Sequence, residues 1–84
     1  MTLKDFVELL SQSGRFNLHK DYMLLKLTLN QPPHNSLVYW HFDNKVYFYS
    51  GDLYTKRISF EEFFNNLLDF EIKKLFLFHL DLFS

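Results

Sequence analysis

The sequence predicts an α+β domain: two helices packed on one face of a mainly antiparallel sheet, in the order α-β-β-β-α-β. Two capped, amphipathic segments stand near residues 2–12 and 59–68. Between them lies a stretch of alternating apolar and polar residues rich in Val, Tyr, Trp and Phe, the types that strands favour. Turn residues divide that stretch into short runs, and helices gathered on one side of such a sheet bury both apolar stripes at once. Residues 1–84 form one domain.

The first helix opens at Thr2, with Asp5 three places on, a variant of the capping box. Leu3, Phe6, Val7 and Leu10 then line one helical face. Gly14 can take the left-handed conformation that ends a helix. Residues 22–29 alternate, with Met23, Leu25, Leu27 and Leu29 on one side and Tyr22, Leu24, Lys26 and Thr28 on the other. Pro32 and Pro33 exclude residues 30–36 from a ladder. Residues 37–42 and 46–50 read as a hairpin with Asp43-Asn44 as its two-residue turn. That register sets Trp40 opposite Tyr47 and Val38 opposite Tyr49 on one face, with Tyr39 opposite Phe48 and His41 opposite Val46 on the other. Residues 53–58 form a short strand or an ordered loop.

The second helix starts at Ser59-Phe60-Glu61-Glu62, with Phe60, Phe63, Phe64, Leu67 and Leu68 as its stripe. Residues 74–83 alternate, with Phe76, Phe78, Leu80 and Leu82 on one face, and are read as a strand. The competing reading continues the helix through Ile72, Leu75, Phe76, Leu80 and Phe83.

Composition narrows the function classes. Nine Lys plus Arg face ten Asp plus Glu, for a net charge of −1, whereas a nucleic-acid binder normally carries a clear basic excess. The α-β-β-β-α order is shared with double-stranded-RNA-binding domains, but their basic helix-terminus motif is missing, so the parallel stops at element order. With no cysteine there is no disulfide, thiolate zinc site or cysteine nucleophile. Lys4, Asp5 and Glu8 interrupt the N-terminal apolar residues, unlike a signal peptide, so a cytoplasmic protein without a membrane span is expected. Gly14 and Gly51 stand alone, which excludes a P-loop or dinucleotide fingerprint.

Two His-x-Asp pairs, His41 with Asp43 and His79 with Asp81, are the candidate chemistry. If their strands were neighbours, two imidazoles and two carboxylates could bind a metal ion or act as acid and base. The simpler reading makes each pair a strand's exit into solvent, and neither a cofactor nor an enzyme is expected.

Aromatics reach 20% of the chain. Whichever sheet face covers the helices, the other still carries bulky rings, where a half-covered sheet normally shows polar residues. The expected function is therefore a non-enzymatic protein-binding module. A small stoichiometric inhibitor, of the toxin-immunity or counter-defence kind, suits a chain of this size without catalytic motifs. Tyr39, Trp40, Tyr47 and Tyr49 would anchor the partner, and Asp43, Asp52, Glu61 and Glu62 would rim the contact and steer a basic one. The alternatives are a structural homodimer or adaptor, a small metal-dependent or acid–base enzyme, and an RNA-binding module.

Overall fold

The computed structural model describes residues 1–83. Among the described residues the order is α-β-β-β-β-β-α-α: α1 (Leu3–Ser11), β1 (Phe16–Lys20), β2 (Leu24–Leu29), β3 (Ser36–Trp40), β4 (Lys45–Tyr49), β5 (Arg57–Ile58), α2 (Phe60–Asn65) and α3 (Phe70–Phe78). A 3-10 turn, Leu80–Phe83, follows. The strands form one antiparallel meander, β1-β2-β3-β4-β5. The helices pack against it, as an α+β domain requires.

Both expected caps are present. The Asp5 N–H donates to Thr2 Oγ1 at 3.1 Å, and the Glu62 N–H to Ser59 Oγ at 3.0 Å. Gly14 has φ +80°, the left-handed backbone expected after α1. Phe6, Val7 and Leu10 of α1 are fully buried. They meet Leu25, Leu27 and Leu29 of β2, Leu37 and Tyr39 of β3, and Phe48 of β4 in a single core. Phe6, Phe63 and Phe76 are its largest fully buried side chains, and each contributes roughly 1.5–3 kcal/mol by leaving water.

The element order departs from expectation in two places. The chain between α1 and residue 22 forms an additional edge strand, β1, of which only Phe16 is buried. An edge strand needs one apolar anchor and is otherwise solvated, so its pattern carries little signal. At the other end, residues 72–83 are not a strand. Asp69 Oδ1 accepts the backbone N–H groups of Glu71 and Ile72, at 2.9 and 3.2 Å, and starts a new helix. The second helical stripe is thus split: α2 stops at Asn65 without Gly or Pro, and the Asp69 cap reorients the chain into α3. Ile72 and Phe76, four residues apart, then fall on one buried face.

The β3–β4 hairpin also differs from the expected one. Its loop holds four residues, His41 to Asn44, and the register pairs Trp40 with Lys45, Val38 with Tyr47 and Ser36 with Tyr49. A two-residue type I′ turn needs positive φ at both central residues, whereas this loop asks it of Asn44 alone, at φ 53°. The slip is two residues. Because side chains alternate with period two, every residue stays on its expected face.

Candidate functional site

The sheet face turned away from the helices carries Leu24, Lys26 and Thr28 from β2, Ser36, Val38 and Trp40 from β3, and Lys45, Tyr47 and Tyr49 from β4. Part of it is closed by the chain itself. Residues 50–56 fold back over it, and the buried polar residues Thr28, Asn35 and Ser36 all bond to this loop. Thr28 Oγ1 donates to Asp52 Oδ1 at 3.0 Å and Ser36 Oγ to the Gly51 carbonyl at 2.7 Å. The Gly51 N–H donates to Asn35 Oδ1 at 3.1 Å. Lys26 Nζ lies 2.7 Å from Asp52 Oδ1 and 3.1 Å from its carbonyl oxygen. These donors, Lys26 first, hold the Asp52 carboxyl below its ordinary range. Val38, beneath, is fully buried.

The eight expected contact residues do not converge. Trp40, Tyr47 and Tyr49 share this second face and are half-buried. Trp40 meets Phe42 edge-on at 5.7 Å, and Tyr49 meets Tyr54 of the loop at 5.3 Å. Tyr47 donates to Asp43 Oδ2 at 2.9 Å, which raises the pKa of its phenol, and the Arg57 guanidinium stacks 4.2 Å over its ring. Tyr39 is a correction: it is 4% exposed, lies in the helix-covered core, and donates to Asn44 Oδ1 at 2.7 Å. Glu61 and Glu62 sit in the first turn of α2, in the helical layer, since Phe63 of α2 packs on Phe48 from the core side. Asp43 and Asp52, which do lie beside the second face, are engaged by intrachain donors.

The two His-x-Asp pairs do not form a site. His41 and Asp43 lie in the β3–β4 loop, where His41 meets Tyr39 edge-on at 5.3 Å. His79 caps the C-terminal end of α3 and packs 5.3 Å from Phe6; Asp81 is in the 3-10 turn. Neither His79 nor Asp81 is on a strand. Among the described residues, no three His, Cys, Asp or Glu side chains are grouped so as to hold a metal ion.

An exposed apolar surface that was not foreseen lies on α3. Phe70, Lys74, Leu77 and Phe78 fall at i, i+4, i+7 and i+8 and line one face, opposite buried Ile72 and Phe76. Phe70 is 69% exposed, Leu77 53% and Phe78 84%. Leu68 just before the helix and Leu80 just after it are exposed as well. The nearby acids are spoken for: Arg15 Nε lies 2.8 Å from Asp69 Oδ2, and its terminal nitrogen 3.1 Å from Glu71 Oε2. Lys73 and Lys74 instead lie over aromatic rings, at 5.3 Å from the centre of Phe64 and 5.1 Å from that of Phe70. The signal was in the sequence, as apolar residues left over once the buried stripe is subtracted, but reading the segment as a strand hid it.

Compared with known proteins, the chain matches no family model, no curated protein and no solved structure. No helix among the described residues is long and apolar enough to cross a membrane.

Proposed function

We propose that this protein is a non-enzymatic protein-binding module that acts stoichiometrically, by covering a partner's surface with the outer face of α3. The observation that carries this reading is the stripe of Phe70, Leu77 and Phe78. A helix that is apolar on both sides is normally covered on both, and contiguous exposed apolar surface marks a contact. Three polar side-chain pairs support a non-catalytic reading, because they tie elements together: Arg15 joins the α1–β1 connection to α3, Lys26 joins β2 to the 50–56 loop, and Tyr47 joins β4 to its turn.

The partner's chemistry follows from Lys73 and Lys74. Both cations flank or interrupt the stripe while the adjacent carboxylates are occupied by Arg15. The complementary surface is therefore apolar with carboxylates at its border, the opposite of the basic partner expected from Asp43, Asp52, Glu61 and Glu62. A second copy is disfavoured, since antiparallel packing of two α3 stripes about their centres would set Lys74 against Lys74.

A photo-crosslinking phenylalanine analogue at position 78, expressed in the native host, tests this. One discrete adduct to another protein is expected from position 78 and none from position 8 on α1. A self-adduct, or co-sedimentation with anionic vesicles in place of a protein adduct, overturns the reading. Half-buried Trp40 beside exposed Phe42 favours a second, smaller contact at the turn end of the sheet, which Trp40→Ala would weaken without unfolding the domain.

A further inference from the structure

The β4 edge of the sheet is open beyond the short β5. The ladder pairs only Phe48 with Ile58 and Tyr49 with Arg57. The Ser50 N–H donates to the Lys56 carbonyl at 2.9 Å, so Ser50 turns its backbone groups toward β5. By the two-residue alternation of an antiparallel ladder, Phe48 and Val46 turn theirs the same way. Opposite Val46 the chain has already left the sheet, because Phe60 begins α2. The Val46 N–H and C=O thus face an open groove of about 1010 Å³.

The walls of this groove differ in chemistry. On the helical side are the partly buried side chains of Leu3, Phe60, Leu82 and Phe83. On the other side are Lys45 and Arg57, both exposed. Neither is in an ion pair among the described residues, and the Asp43 carboxylate beside them accepts from the Tyr47 hydroxyl and the Lys45 N–H.

We infer that the β4 edge binds an extended segment of another protein by strand addition, with an apolar residue opposite Val46 flanked by acidic ones. Main-chain bonds to Val46 supply the affinity, and alternating side chains supply the selectivity. In an antiparallel pair the residue opposite Val46 points to the helical side, onto Phe60 and Phe83; its two neighbours point to Lys45 and Arg57. A second copy does not suit this edge, since pairing two β4 strands about Val46 would crowd two Lys45 and two Arg57 side chains together. This surface is separate from the α3 stripe, and the inference does not rest on it.

The test is a titration of the 15N-labelled chain with the peptide acetyl-Glu-Val-Glu-Val-Glu amide, followed by amide shifts and hydrogen exchange. Expected are shifts centred on Lys45, Val46 and Tyr47, slowed exchange at Val46, and binding weakened at least about tenfold by Lys45→Glu with Arg57→Glu. Val46→Pro, which removes the edge N–H, should abolish binding. A peptide N-methylated at its valines should also fail, which keeps the test decisive if the proline variant does not fold. Equal binding of the Lys-Val-Lys-Val-Lys analogue, shifts centred on Phe78 or Trp40, no shift at Val46 by about 1 mM peptide, or concentration-dependent β4 shifts without peptide would each overturn the inference.

Discussion

The Lys26 ammonium stands 2.7 Å from the Asp52 carboxylate, and this contact decides how much of the second sheet face the chain covers by itself. It pins the tip of the 50–56 loop over β2 and β3, where Thr28 and Ser36 also bond to the loop. Without it, buried hydroxyls would lose partners that water would have to replace.

Asp52→Asn should therefore loosen the loop without unfolding the sheet. Trypsin should cut after Lys56 or Arg57 faster in the variant at neutral pH. The acid limb of stability should change too. The folded state holds the Asp52 carboxyl below its ordinary value. Its contribution is complete above the unfolded pKa, about 3.9, and is lost as the pH falls through the folded value. Urea midpoints measured from pH 6 downward should fall less steeply in Asp52→Asn. Identical cleavage rates and acid limbs would show that the clamp does nothing.

Phe76 and Phe78 should behave oppositely, although they are two residues apart. Phe76 is fully buried and meets the rings of Phe6 at 5.2 Å and Phe83 at 5.4 Å. Phe76→Ala should cost about 3–5 kcal/mol, enough to unfold much of a domain this small. Phe78→Ala should stay within about 0.5 kcal/mol. Chemical denaturation reads both. In a strand the two would share a face and respond alike, so equal losses would refute the helix.

Asp69 has two tasks, which can be separated. It caps α3 through Oδ1 and meets Arg15 through Oδ2. Asp69→Ala should lose about 1–2 kcal/mol, whereas Asp69→Asn, still a competent cap, should lose less. Arg15→Ala should fall below Asp69→Ala, because its guanidinium is partly exposed. An Arg15 loss equal to the Asp69→Ala loss would transfer the effect from the cap to the ion pair.

The Tyr47 phenol should titrate above the ordinary tyrosine value, because its hydroxyl donates to Asp43 and ionising it would set two anions together. The stability from this bond is complete below the unfolded pKa, about 10, and is lost as the pH rises through the folded value. Phenolate absorbance should show a late-titrating component that Asp43→Asn moves down. An unchanged titration would mean that the bond does not persist in solution.

Local chemistry was legible wherever it acts over a few residues. Thr2 and Ser59 announce their helices because a side-chain oxygen three places before a free N–H needs no distant partner. The faces of β2, β3 and β4 were legible because alternation survives a two-residue slip in the hairpin. β1 was not, since one buried Phe in five residues is too little pattern. Residues 72–83 were ambiguous because their apolar residues satisfy both periods at once. Tyr39 and Trp40 were placed on opposite faces by alternation, yet nothing in the sequence indicated which of those faces the helices would cover.

By itself, then, the sequence determined the α+β class, two capped helices, and which residues share a sheet face, because those properties follow from near neighbours along the chain. Only the tertiary structure decided that Asp69 begins a third helix, that residues 50–56 close part of the second face, and that Phe70, Leu77 and Phe78 face outward. Each of these depends on which apolar surface the core has room to take in. That competition is among residues far apart in the chain, and it leaves no local mark on any of them.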